Sequence, residues 1–136
     1  LLPLVAGLAG NIGMQSAAVM LRGFATGEIP RSRVRRVISA EVLVAIANGV
    51  ICGLISGAMA LVIMTDPEPV RFWAVAVSVA LAATAAGTIG AVLPSACERL
   101  NIDPALAAGP VITTLNDILG FTIYICVVFG VFELTT

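Results

Sequence analysis

The sequence predicts an all-α integral membrane protein with four transmembrane helices. The chain of 136 residues has a mean hydropathy of +1.09, and 60% of its residues are hydrophobic against 11% that are charged. Soluble domains usually carry about 25% charged residues. Backbone in lipid must satisfy its own hydrogen bonds, so a membrane span is either a helix or part of a closed β-barrel. The sequence lacks the alternation of polar and apolar residues that is typical of strands, and we therefore predict helices.

The four spans follow from the gaps between charged residues, because each gap is close to the roughly 20 residues that a membrane-spanning helix needs. We place the spans at residues 1–24, 37–64, 72–94 and 104–132, within a single transmembrane domain that covers residues 1–136. The chain opens inside an apolar run with no basic leader before it, so we expect a piece of a longer protein. No cytosolic regulatory domain is expected within these residues.

The first span carries a polar stripe. Gly7, Asn11 and Gln15 are spaced four residues apart and therefore share one side of a helix. Glycine in a helix interior costs about 1 kcal/mol relative to alanine, so its presence here needs a reason. Close packing of membrane helices is one reason, and a polar pore wall is the other. The side-chain amides of Asn11 and Gln15 slightly favour the interpretation as a pore wall.

The second and third spans carry small residues at the spacing typical of packed membrane helices. These residues are Gly49, Gly53 and Gly57 in the second span and Ala83, Gly87 and Ala91 in the third. We interpret both sets as packing surfaces. Glu41 lies about one turn into the second span, and we interpret it as an ion-pair partner of a cytoplasmic arginine such as Arg36 rather than as a ligand at a pore mouth.

The fourth span contains one charged residue, Asp117, with thirteen uncharged residues before it and fifteen after it. A carboxylate near the centre of a bilayer costs about 2.5–3.5 kcal/mol and usually faces a bundle interior or a water path. Thr113, Thr114 and Gly120 share its side of the helix. We favour an ion path over a protonated aspartate that is hydrogen-bonded to a neighbouring helix. Asp103 and Pro104 are predicted as the N-cap and first residue of this helix.

The arginines predict the orientation in the membrane. The first connection holds Arg31, Arg33, Arg35 and Arg36, whereas the second holds Arg71 alone. We expect the chain to lie in the cell membrane (plasma or inner membrane). Because arginine excess marks the cytoplasmic side, we place the Arg31–Arg36 connection in the cytoplasm and the C-terminus on the outer side. The arginine run is interpreted as this topology signal, with a lipid-binding patch as the alternative.

The composition argues against several function classes. The chain has no His, which removes the commonest ligand for zinc, copper or nickel and also a Ser-His or Cys-His catalytic pair. A single intramembrane acid offers no acid–base pair, so an enzyme is not expected. Cys52, Cys97 and Cys126 are dispersed through apolar stretches and indicate neither a disulfide framework nor a metal site. No nucleic-acid partner is expected.

Two stretches together resemble a known family. PLVAGLAGNIGMQSA (residues 3–17), followed by RGFATGEI (residues 22–29), resembles the opening of the transmembrane domain of MgtE magnesium channels. DPALAAGPVITTLNDILG (residues 103–120) resembles the last helix of the same domain, and the order and spacing of the two stretches also match. The resemblance covers most of the chain.

The resemblance implies the last four helices of a five-helix domain, paired in a homodimer whose axial pore lies between spans one and four. It also implies that Asp117 binds magnesium and that Gly7 and Asn11 help to hold the hydrated ion. Gly109 occupies a position where some family members have asparagine. Glycine has no side chain, so the contact that asparagine would offer to the ion is not expected here. The complete set of expected metal-site residues is Asp117, Asn11, Gly7, Gln15, Thr113, Thr114, Leu106, Gly109 and Gly120.

The chemistry of these residues suits a hydrated Mg²⁺ ion as the transported species and pore ligand. Carboxylate, carbonyl, amide and hydroxyl oxygens are hard ligands, and Mg²⁺ keeps several waters, so it needs few direct contacts with protein. The expected partners are the lipid bilayer, a second copy of the chain and divalent cations. Two alternatives remain open: an ion- or proton-coupled secondary transporter in which Asp117 cycles a proton, and a non-transporting membrane assembly module.

Overall fold

The protein is an all-helical bundle, seen in a computed structural model that describes residues 2–63, 69–107 and 109–135. Four of the helices in these ranges are long and apolar enough to cross a membrane. They are α1 (Leu2–Ala25), α2 (Val34–Ile63), α3 (Pro69–Arg99) and α4 (Pro110–Thr135), with a short 3₁₀ turn at Pro104–Ala107. The predicted all-α membrane fold with four spans is confirmed.

Two helix boundaries differ from the sequence-based expectation, and a proline stands at each. α3 continues through the buried Pro94 to Arg99 instead of ending there. The helix expected to begin at Pro104 begins at Pro110, because Gly109 has a φ of 70° and interrupts the helical path. Pro110 suits a first helical position, where its missing N–H is not needed. Asp103 does act as a cap, but its carboxylate accepts from the Ala105 N–H (2.9 Å) in the 3₁₀ turn.

The central helix is α3, which packs against each of the other three α-helices. Alanine is its commonest residue, and its four side-chain hydroxyls donate to carbonyls of their own helix. Ser78, Thr84, Thr88 and Ser95 each donate to the carbonyl four residues earlier, at 2.6–2.8 Å. The polar groups of these side chains are therefore satisfied without a partner from another helix.

The α2–α3 contact is built on the doubled GxxxG pattern. A Cβ on Gly49 would lie 2.8 Å from the Ala80 carbonyl oxygen, and one on Gly53 would collide with the carbonyl of Ala76. A Cβ on Gly57 would lie 2.8 Å from the carbonyl of Phe72. Because α3 numbers fall as α2 numbers rise, the two helices are antiparallel. The packing interpretation of this motif is confirmed.

At the end of the bundle where α1 meets α2, a small apolar cluster fixes the connection. Met20, Val34 and Ala91 are buried together there. Arg31 contacts Glu98 at 4.0 Å nearby, so the end of α3 joins this region. The expected ion pair between Arg36 and Glu41 does not form, although the structure describes both residues.

Candidate cation-binding face

The polar stripe of α1 lies on the open side of the bundle. Gly7, Asn11 and Gln15 are all exposed, and a Cβ on Gly7 would meet nothing within 4 Å. The opposite side of the helix is packed, with Val5 and Ala9 buried against α3. The stripe is therefore not a contact surface between helices of this chain, and its two amides are free to face a pore, a partner or lipid.

α1 meets α4 through small residues on its buried side. A Cβ on Gly13 would collide with the Asn116 amide, and one on Gly120 would lie 3.8 Å from Ala6 and Ala9. The α4 numbers fall as the α1 numbers rise, so this pair is antiparallel. Gly13 is thus the glycine through which α1 packs on Asn116 of α4, while Gly7 serves no packing contact with the described residues.

The position of Asp117 follows from the rotation of α4. Asn116 points inward and is fully buried. Successive residues of a helix are about 100° apart, so Leu115 and Asp117 lie on opposite flanks of Asn116. Leu115 lines the groove between α3 and α4 together with Thr88 and other residues of α3. Asp117, which is partly buried, therefore lies on the other flank, next to α1.

The corresponding flank of α1 is the open one. Ile12 packs with Ala45 and Ala83 of the neighbouring helices, whereas Met14, on the other side of Gly13, is 46% exposed. The flank of α1 that carries Met14 and the flank of α4 that carries Asp117 therefore lie on the same side of the α1–α4 pair. We call this surface the polar face and define it by five residues: Gly7, Asn11 and Gln15 of α1, and Thr114 and Asp117 of α4.

The remaining expected ligands have other environments. Thr113 donates to the Gly109 carbonyl through both its hydroxyl (2.7 Å) and its N–H (3.0 Å), so this hydroxyl stabilises the start of α4. Gly120 is buried against α1. Leu106 is 66% exposed and lies before the first turn of α4. Asp117 is seven residues inside α4, about 10 Å along the axis from Pro110.

Asn116 is a residue that the sequence-based reasoning missed. It is fully buried, and neither the nitrogen nor the oxygen of its amide has a hydrogen-bond partner. A buried polar group without a partner costs about 1–3 kcal/mol, so it calls for an explanation. The signal was available in the sequence, since an amide directly before Asp117 in an otherwise apolar run is itself unusual.

The acidic side chains set the kind of ion that this face can hold. Within the described residues, no group of three or more Cys, Asp and Glu side chains could surround a metal ion. The polar face offers one carboxylate per chain, with neutral amides and a hydroxyl around it. Such a sparse set cannot replace the water shell of Mg²⁺, but it can hydrogen-bond to the bound waters.

Comparisons with known proteins match nearly the whole chain. The model of the MgtE family, described as a divalent cation transporter, matches residues 2–127. A magnesium transporter MgtE from Bacillus subtilis is 35% identical over 123 residues, which cover 90% of this chain and 27% of the relative. The magnesium transporter MgtE from Thermus thermophilus is 36% identical over 126 residues, covering 92% and 27% respectively. The chain thus spans about a quarter of the length of these curated relatives.

Proposed function

The chain belongs to the MgtE family of divalent cation transporters, and we propose on that basis that it forms the membrane pore of a magnesium channel. Members of this family are ion transporters and not enzymes. The relatives from Bacillus subtilis and Thermus thermophilus are both named as magnesium transporters. The observation that carries the proposal is the polar face, where two exposed amides of α1 and the partly buried carboxylate of α4 lie on a side of the bundle that none of the described helices covers.

We infer that a second copy of the chain covers the polar face. Polar and charged groups exposed to lipid are costly, so membrane proteins bury them against protein or water. A two-fold axis beside α1 and α4 would bring two copies of Asp117 towards one central path. Two nearby carboxylates repel each other, and a divalent cation between them removes that repulsion. The homodimer and the pore along its axis rest on this reasoning.

In the proposed pore each residue has a distinct task. Asp117 attracts the ion by charge, while Asn11, Gln15 and Thr114 hydrogen-bond to its waters. Gly7 leaves the pore wall open, because a Cβ there would project from the exposed side of α1. With the inside of the cell negative, a divalent ion gains about 4.6 kcal/mol per 100 mV, twice the value for one charge. The magnesium gradient and the membrane potential are therefore enough to drive Mg²⁺ into the cell without a second energy source.

The proposed orientation follows the arginines. Six of the seven lie at the end of the bundle that carries the α1–α2 connection. This asymmetry supports a cytoplasmic location for that end and an external C-terminus.

Transport by the purified chain in liposomes tests the proposal. With a magnesium-sensitive dye inside, we expect influx that follows the Mg²⁺ gradient and the applied potential. Asp117→Asn should reduce the flux at least about tenfold, because it removes the charge and keeps the shape. Glu28→Gln is the matched control, since Glu28 is an exposed acid in a connection, outside the polar face.

Two results would contradict the channel. Equal flux through wild type and Asp117→Asn would show that the carboxylate is not the ion site, and equal flux at the level of empty liposomes is what an assembly module predicts. Proton movement that is coupled to each magnesium ion, measured with a pH dye, would indicate a secondary transporter.

The hydration of the ion can be tested separately. Cobalt hexammine has the size of a hydrated magnesium ion and cannot lose its ligands, so we expect it to compete with Mg²⁺ in the same liposomes. Competition by Ca²⁺ without competition by cobalt hexammine would mean that the ion is dehydrated at Asp117.

A further inference from the structure

One end of the bundle carries an unusual density of arginine. Six residues are involved, and all are exposed or partly exposed: Arg22, Arg31, Arg33, Arg35, Arg36 and Arg99. They come from the last turn of α1, the α1–α2 connection, the first turn of α2 and the last turn of α3. The buried cluster around Met20 and the contact between Arg31 and Glu98 hold these segments together.

Of these six arginines, only Arg31 contacts an acidic side chain within the described residues. Glu98 contacts Arg31 at 4.0 Å, and the Asp103 carboxylate accepts from the Ala105 N–H. Arg33, Arg35 and Arg36 form no ion pair with any acidic side chain that the structure describes. We call these three residues the arginine patch.

We place the arginine patch at the depth of the lipid headgroups, because it adjoins the apolar part of a helix long enough to cross a membrane. It leads directly into α2, whose Leu43, Val44 and Ile46 are 68%, 48% and 42% exposed and must face the hydrocarbon. Leu43 is seven residues beyond Arg36, or about 10 Å along the helix, so the patch lies just beyond the exposed apolar part of α2. Lipid therefore lies directly beside the patch, and α2 is a peripheral helix whose main contact is with α3.

We propose that the arginine patch binds the phosphate groups of anionic phospholipids in the adjoining leaflet. The choice of side chain supports this partner, because the chain contains seven arginines and no lysine. Either residue serves as a topology signal, but only the planar guanidinium binds a phosphate through two parallel hydrogen bonds. A basic residue at a membrane surface strengthens binding about fivefold. The proposal does not depend on the transport function.

Competition between lipids tests the proposal on the intact chain. The purified protein in detergent is given equal amounts of phosphatidylglycerol and phosphatidylcholine, and native mass spectrometry counts the molecules of each lipid that stay bound. We expect wild type to retain phosphatidylglycerol by more than about fivefold over phosphatidylcholine. The triple variant Arg33→Gln, Arg35→Gln, Arg36→Gln should lose this preference.

Two further variants separate the arginine patch from plain charge and from the rest of the surface. The triple lysine variant (Arg33→Lys, Arg35→Lys, Arg36→Lys) keeps the charge and any topology signal, and it should retain clearly less phosphatidylglycerol than wild type. Arg71→Gln, near the opposite end of α3, should behave as wild type. An unchanged preference in the glutamine or lysine triple variant, or an equal loss in Arg71→Gln, would overturn the proposal.

Discussion

The α2–α3 contact and the α1–α4 pair use the same small residues in different ways. Along α2, a Cβ on Gly49, Gly53 or Gly57 would meet backbone of α3 at close range. Along α1, Gly13 meets Asn116, but a Cβ on Gly7 would meet nothing. The first contact is closed and apolar, whereas the second has an open polar flank. Glycine spacing therefore predicts that a helix face is special, and the surroundings of each glycine decide whether it serves packing or function.

The largest expected effect breaks the closed contact. Gly53→Leu should destabilise the bundle by about 3 kcal/mol, because even its Cβ collides with the Ala76 carbonyl and backbone cannot move aside cheaply. Thermal unfolding in detergent measures the loss. Gly130→Leu is the control, since a Cβ there would meet nothing within 4 Å, and it should change stability little. Equal losses in both variants would mean that α2 is not held by its glycines.

The second prediction concerns the buried amide between α1 and α4. Asn116→Leu should stabilise the fold by about 1–3 kcal/mol, because it removes an amide without partners and keeps the branched shape. Chemical unfolding of the purified chain measures the gain. Asn11→Leu, on the open polar face, should show no such gain. Destabilisation by Asn116→Leu would show that the amide does bond a partner, such as a trapped water.

The third prediction concerns the open flank itself. Asn11→Ala should weaken Mg²⁺ binding by about 0.5–1.5 kcal/mol, since it removes one hydrogen bond to a water of the ion. The protection that Mg²⁺ gives against thermal unfolding measures the change. Thr122→Ala is the control, because the Thr122 hydroxyl already donates to the Ile118 carbonyl at 2.7 Å. A loss as large as that of Asp117→Asn would indicate that Asn11 contacts the ion directly.

The smallest effect is expected at Gly7. Gly7→Ala should stabilise α1 by about 0.5–1 kcal/mol, because alanine is the better helix residue and the space beside Gly7 is open. Unfolding measurements check the stability, and the liposome assay shows whether the added methyl group narrows the path. Destabilisation by this variant would place Gly7 in a tight contact, for example across the dimer axis.

The sequence predicted the helices well, because charge gaps in an apolar chain permit only helices in lipid. It predicted the closed contact from the spacing of Gly49, Gly53 and Gly57. It failed at Pro94 and Pro104, since burial against neighbouring helices and the φ of Gly109 decide whether a helix passes a proline. These are tertiary effects that local patterns do not contain.

For the candidate site, the sequence offered residue types, and the structure describes where those residues lie. The shared exposure of Gly7, Asn11 and Gln15 agrees with the stripe that the spacing suggested. The flank on which Asp117 lies and the burial of Asn116 depend on the rotation of α4, and the close approach of Asn116 to Gly13 sets that rotation. The sequence of α4 alone does not predict the contact between Asn116 and Gly13.

The hydroxyls of α3 have a mechanical consequence. Ser78, Thr84, Thr88 and Ser95 all donate to carbonyls of their own helix, so none of them ties α3 to a neighbour. Along these positions the other helices rest on α3 through van der Waals contact alone. A neighbouring helix can then undergo shear along α3 without breaking any of these hydrogen bonds. At these four positions the fit between packed surfaces, and not a side-chain hydrogen bond, fixes where each neighbour lies on the central helix.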